Sequence, residues 1–131
     1  MKWLILILVL SSLALGCTPP QPPEPQLPAP KVPEQVKVAV GEVFTIPLTA
    51  NPSTGFDWTV KHDSAMIEYL GHDCSPGRMP PAPGDQSYCG YKFKALTRGE
   101  TKITLLYQQG KESGFAVSTV IEVVEVPVTI R

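Results

Sequence analysis

Histidine occurs only twice in this 131-residue sequence, at His62 and His72, and cysteine three times, at Cys17, Cys74 and Cys89. There is no Cys-x-x-Cys and no His-x-x-x-His spacing, so the usual frameworks of a zinc site are missing. No nucleophile–base–orienter set and no glycine-rich phosphate loop can be traced. These gaps argue against an enzyme and against any metal or cofactor. The neighbours His62 and Asp63, and His72 and Asp73, read as solvated loop residues rather than catalytic pairs. Charge is also scarce: eleven basic and twelve acidic residues leave a formal net charge of −1. With no basic patch and no basic–aromatic interleaving, nucleic acid is excluded as a partner. No segment of the folded part carries the 3.6-residue apolar period of a helix.

The one long apolar run is at the start. Met1-Lys2 supplies a positive charge, Trp3 to Leu10 is unbroken hydrophobic sequence, and Ser11 to Gly16 leads to Cys17. A stretch of about 14 residues spans about 21 Å as a helix, short of the roughly 30 Å bilayer core. Residues 1–16 therefore read as an export signal rather than a membrane span. Gly16-Cys17 resembles a bacterial lipobox, which implies that the signal is removed and Cys17 is lipidated. Acyl chains contributing about 0.8 kcal/mol per buried methylene would anchor the chain durably. Thr18, in place of Asp, resembles an outer-membrane sorting signal if the cell is Gram-negative. Residues 18–34 hold eight prolines in seventeen positions, a polyproline-type spacer after the lipidated Cys17. At about 3.1 Å per residue it reaches roughly 50 Å. The expected localisation is the cell envelope, with the chain exported and attached to the membrane.

With Cys17 acylated, Cys74 and Cys89 remain as an even pair in an exported protein, and a disulfide is the natural reading. A metal site with His72, or a catalytic thiol, is the competing one.

From residue 35 to 131 the pattern is that of strands. Val36, Val38 and Val40 alternate, then Phe44, Ile46 and Leu48 after a turn at Gly41-Glu42. Pro47 demotes the second strand to an edge or a bulge. Phe56, Trp58 and Val60 share a face, which places Trp58 in the core. Met66 to Leu70 is a short apolar run. Residues 71–87, with Pro76, Pro80, Pro81 and Pro83, are expected to be irregular. Tyr91, Phe93 and Ala95 follow, then Ile103, Leu105 and Tyr107. A polar loop at 108–114 and a β-branched strand at 115–126 complete the series. Six to eight strands over about 95 residues predict an all-β, antiparallel, immunoglobulin-like sandwich.

One stretch stands out: Asn51-Pro52-Ser53-Thr54-Gly55-Phe56-Asp57-Trp58, with the only asparagine of the chain. Asn-Pro starts a turn, Gly55 permits the reversal, and two small hydroxyls lie at the tip. The stretch resembles the first binding loop of chagasin-like inhibitors of papain-type cysteine proteases, which carry Asn-Pro-Thr-Thr-Gly-Tyr/Phe followed by Trp. The resemblance extends to the strand Lys92-Phe93-Lys94-Ala95-Leu96, the Arg98-Gly99 turn and the strand Leu105-Leu106-Tyr107.

The resemblance implies an immunoglobulin-type fold with three loops at one end and a papain-family cysteine protease as partner. The protease-binding residues would be Asn51, Pro52, Ser53, Thr54, Gly55 and Phe56 in the first loop. Gly84, Asp85, Gln86 and Ser87 would form the second, and Gln108, Gln109, Gly110 and Lys111 the third. Two loops depart from the family pattern. The second keeps one glycine, Gly84, of a Gly-x-Gly-Gly motif, and the third lacks the Arg-Pro-Trp that follows the tyrosine. The expectation is a monomeric, reversible, non-covalent inhibitor. The alternative is a non-inhibitory envelope lipoprotein that binds another protein or an envelope component through the same loops.

Overall fold

The computed structural model describes residues 28–109 and 119–131. The expected signal at 1–16, the lipidation site Cys17, most of the spacer, loop residues Gly110 and Lys111, and positions 115–118 lie outside these residues. The described chain forms seven strands: β1 (Val36–Val38), β2 (Val43–Ala50), β3 (Phe56–Lys61), β4 (Ile67–Pro76), β5 (Ser87–Ala95), β6 (Gly99–Gln109) and β7 (Val120–Ile130). One turn of 3-10 helix, Pro52–Thr54, interrupts them. Among the described residues no helix is long and apolar enough to cross a membrane.

The strands make two sheets, in the orders β1-β7-β6-β3 and β2-β5-β4. This is the all-β, immunoglobulin-like sandwich that the alternating pattern predicts. Every neighbouring pair is antiparallel except β1 and β7, which run parallel with Val36 opposite Val128. Pro47 lies on β2, an edge strand as expected, where its missing N–H removes no bond from the interior of a sheet.

Period-2 alternation turns one set of side chains inward from each sheet. Ile46, Leu48, Ile67, Tyr91, Phe93 and Ala95 meet Trp58, Ile103, Leu105, Val126, Val128 and Ile130 in a single core. Trp58 is buried with the rest, and its indole N–H donates to the Thr49 carbonyl at 2.8 Å, so its polar edge is satisfied. Val32, four residues ahead of β1, also packs against this core.

Two expectations need correction. Residues 71–87 are not wholly irregular, because β4 continues through Gly71, His72, Asp73, Cys74 and Ser75 to Pro76. An edge strand needs a partner on one side only, and β5 supplies it; Pro76 enters as the last residue, where a lost donor matters least. The final strand begins in the described residues at Val120 and runs on to Ile130, four residues beyond the expected end, because β6 and β1 flank it on both sides.

A bulge explains how β4 stays in register. Tyr69 faces Phe93 and Gly71 faces Lys92, so Leu70 is the extra residue, left 47 % exposed. Gly71 has φ of 107°, a conformation that costs little only without a Cβ. A one-residue insertion in a period-2 strand moves every later side chain to the other face. His72 thereby pairs with Tyr91, their rings stacked at 4.6 Å, and Cys74 pairs with Cys89. The cysteines form the expected disulfide across the strand pair, with Cα atoms 4.0 Å apart. Replacing both with alanine should lower stability by about 3 kcal/mol, the loop-entropy estimate for a 15-residue closure. Urea denaturation reads this directly, and a loss of less than about 1 kcal/mol would contradict it.

Candidate functional site

The topology brings three connections to one end of the sandwich. Ala50, the last residue of β2, is paired with Ser87, the first of β5; Pro76, the last of β4, is paired with Ser87 as well. Phe56, the first residue of β3, is paired with Gln109, the last of β6. Residues 51–55 cross from one sheet to the other, and a hairpin connection stands on each side of them. On the side of the three-stranded sheet it is residues 77–86. On the other it is the connection that leaves β6 at Gln109 and returns at Thr119, whose carbonyl accepts the Gln109 N–H at 3.2 Å.

The central crossing is organised by Asn51, which uses four of its polar groups. Its backbone N–H donates to the Tyr107 hydroxyl at 3.0 Å. Its carbonyl accepts the Thr54 N–H at 3.1 Å and the Thr54 hydroxyl at 2.7 Å. Its Oδ1 accepts the Ser53 hydroxyl at 2.5 Å, and its Nδ2 donates to the Gly84 carbonyl at 3.2 Å. An aspartate here would lose that last donor and set a charge against a carbonyl oxygen. Pro52 opens the 3-10 turn, and Gly55 closes it with φ of 75° and its N–H on the Pro52 carbonyl.

Pro52, Ser53, Thr54 and Gly55 are exposed, while Asn51 and Phe56 are half-buried. Both hydroxyl hydrogens of the tip are spent on Asn51, so the oxygens of these exposed residues are left to act as acceptors. Beneath them Tyr107 lies between two aromatics, 5.7 Å from the ring of Phe56 and 4.9 Å from that of Trp58. The same tyrosine thus supports the turn by packing and by its hydroxyl.

The hairpin of residues 77–86 is closed in rungs. The Gly77 N–H donates to the Gln86 carbonyl at 2.8 Å. One residue further out, Arg78 Nε contacts Asp85 Oδ2 at 2.7 Å, and the same oxygen accepts the Ala82 N–H at 2.6 Å. The Ala82 N–H, and next the Arg78 guanidinium, hold the Asp85 carboxyl below the ordinary aspartate range. A recess of about 260 Å³ lies against Gly77, Arg78, Gly84, Asp85, Gln86 and Tyr88. Among the described residues, no group of three or more His, Cys, Asp or Glu is placed to hold a metal ion.

The residues expected to bind a partner are thus placed as follows. Asn51 to Phe56 form the central turn, and Gly84, joined to it through Asn51, brings Asp85 and Gln86 alongside. Ser87 is the first residue of β5 rather than a loop residue. Gln108 and Gln109 belong to β6, opposite Asp57 and Phe56, so the polar loop expected from 108 starts later. Glutamines pair in a strand as readily as in a loop when a neighbouring strand is there to bond them, and Gln108 also donates through its side chain to the Thr59 hydroxyl at 2.8 Å. Tyr107, Arg78 and the bracing role of Asp85 were not legible beforehand: Tyr107 acts on a residue fifty-six positions away, and the Arg78–Asp85–Ala82 contacts depend on how a proline-rich segment folds back, which no local pattern marks.

Three comparisons with known proteins bear on this end of the molecule. Residues 37–124 match the family described as Chagasin family peptidase inhibitor I42. Among solved structures, the cysteine protease inhibitor EhICP2 from Entamoeba histolytica is similar with a TM-score of 0.61 and 22 % sequence identity, covering 75 % of this chain and 89 % of that one. Amebosin, solved in solution, aligns at 22 % identity and a TM-score of 0.44 over 74 % of this chain and 88 % of its own. No curated protein matches.

Two outcomes test the site's construction. Gly55→Ala forces a Cβ into the left-handed region and should cost about 1–2 kcal/mol in equilibrium unfolding, although nothing lies within 4 Å of the added atom. The Asp85 brace should respond to acid. Its folded-state value is depressed, so its contribution is complete above the unfolded value of about 4 and disappears as pH falls through the lower folded value. The Ala82 amide resonance should therefore shift with a midpoint below about pH 4 and stay constant in Asp85→Asn; a midpoint above that value in the unaltered protein would contradict the brace.

Proposed function

The chain belongs to the chagasin family of peptidase inhibitors, and from that premise we propose that it is a reversible, non-covalent inhibitor of papain-like cysteine proteases whose 51–56 loop plugs the active-site cleft. The observation that carries this reading is the exposed Ser53-Thr54-Gly55 tip, held by Asn51 between two hairpin ends. The cysteine class is supported by the sequence Asn-Pro-Ser-Thr-Gly-Phe and by the likeness of fold to a protein named as a cysteine protease inhibitor.

The mechanism needs no reaction of the inhibitor. A peptidase cleaves chain that lies extended through its cleft, whereas residues 52–54 are curled into a 3-10 turn, with the carbonyls of Asn51 and Pro52 already bonded internally. A wedge of this shape fills the cleft without offering a peptide bond in a reactive pose. The outward oxygens of Ser53 and Thr54 accept hydrogen bonds from donors lining the cleft. Because the turn is ordered before binding, little conformational entropy is lost when the complex forms. Residues 84–86 on one side and the end of β6 at Gln109 on the other flank the wedge and meet the rims of the cleft; Gly110 and Lys111 follow Gln109 in the sequence.

The sequence of residues 1–34 supports a location for this activity. Cys17 becomes the lipidated N-terminus after removal of the signal, and the proline-rich spacer holds the domain away from the envelope membrane. Mass measurement of the protein from a bacterial host tests this: an acylated Cys17 is expected, and an unmodified cysteine there removes the anchor from the proposal.

Titration against papain tests the inhibitor itself. The folded protein should inhibit reversibly at or below about 1 μM, and Thr54→Trp at the exposed tip should weaken inhibition by roughly a hundredfold while the domain stays folded, with a melting temperature lowered by no more than the few degrees that loss of one hydrogen bond to Asn51 implies. A folded protein that leaves papain and related enzymes fully active at that concentration fits the alternative, a module that binds some other envelope partner through the same loops.

A further inference from the structure

The central turn offers a partner hydroxyls, backbone and the small ring of Pro52 but no large exposed apolar side chain, since Phe56 is half-buried on Tyr107 and Trp58 is in the core. Tight complexes are anchored by apolar side chains that leave water in a fitted pocket, with polar groups giving register. The apolar contact must then come from beside the turn. Of the large hydrophobic side chains in the described residues, the most exposed is Met79, at 72 %.

Its position is specific. The rungs at Gly77–Gln86 and Arg78–Asp85 leave residues 79–84 as the outermost segment of the hairpin. Asn51 Nδ2 holds Gly84, at the other end of that segment, against the central turn. Pro80, Pro81 and Pro83 restrict the backbone within it, and Asp85 clamps the Ala82 amide. The Cys74–Cys89 bridge ties the two strands from which the hairpin rises. A methionine on a mobile loop would lose much of its contact energy to ordering. Here the backbone is already fixed, and the flexible thioether can adapt to the shape it meets. Ile121, the next most exposed at 59 %, lies on a strand of the opposite sheet and lacks this framing.

We propose that Met79 is an apolar anchor of the inhibitory surface, entering a hydrophobic subsite of the target peptidase beside the cleft that the 51–56 turn fills. The inference rests on the reading of that turn as the inhibitory wedge. The partner it fits carries an apolar pocket on the cleft rim on the side of the 77–86 hairpin.

Inhibition constants against papain, measured with the whole protein and four forms of it, test this. Met79→Ala should weaken inhibition about tenfold, and Met79→Leu, which keeps the apolar volume, should stay within about threefold of the unaltered protein. Val43→Ala, which trims an exposed side chain at the opposite end, should change nothing. Thermal unfolding of Met79→Ala should match that of the unaltered protein. Unchanged inhibition by Met79→Ala, a loss with Met79→Leu as large as with alanine, or a large fall in melting temperature overturns the anchor while leaving the wedge standing. Loss on Thr54→Trp together with no effect at Met79 likewise removes the anchor alone, whereas no inhibition by the unaltered protein removes both.

Discussion

The loop end of this sandwich depends on one asparagine. Asn51 receives or gives a hydrogen bond through its amide N–H, its carbonyl, its Oδ1 and its Nδ2, and together they reach three parts of the structure. Tyr107 comes from the four-stranded sheet, Gly84 from the hairpin of the other sheet, and Ser53 and Thr54 from the turn itself. A side chain able both to donate and to accept at a short reach is required, and among the uncharged residues only asparagine supplies that geometry at this length. Individual bonds of this kind contribute about 1 kcal/mol net in a protein. Their shared effect is to set the position of the five-residue crossing relative to Tyr107 on one sheet and the 77–86 hairpin of the other.

That arrangement in turn needs β4 to hold its register. Had Leu70 paired in strict alternation instead of bulging out, Gly71 and Asp73 would face the core, and Cys74 would face outward. The bulge turns Cys74 toward Cys89, and the covalent link then ties β4 to β5 a few residues below the hairpin that carries Gly84. Local geometry on an edge strand therefore reaches the site through two connections, the bridge and the rungs above it. Edge strands tolerate such irregularity because only one neighbour has to follow it.

Belonging to a family of peptidase inhibitors explains why so little reactive chemistry is present. An inhibitor that works by shape needs rigid presentation and a surface free of its own demands. The inward turning of both tip hydroxyl hydrogens meets that need, because it leaves the outer oxygens available to a partner. The Arg78–Asp85 pair meets it on the hairpin, where a half-buried ion pair orders a loop with no strand pairing of its own.

The strands, the core face with Trp58, the edge position of Pro47, the Cys74–Cys89 pair and the central turn could all be read from the amino-acid order, because each rests on a simple rule: alternation along a strand, the missing proline donor, the even pair of cysteines left once Cys17 is set aside, and the turn chemistry of Asn-Pro and Gly. What only the folded molecule decided were the continuation of β4 through Pro76, the strand state of Gln108 and Gln109, the contacts of Tyr107, Arg78 and Asp85, and the exposure of Met79. The strand states depend on a neighbouring strand that supplies hydrogen bonds regardless of propensity, the Tyr107 contact on a residue fifty-six positions away, and the rest on how the 77–86 hairpin closes. Local sequence carries preferences of the backbone. Which distant group stands within 3 Å is a property of the packed sheets.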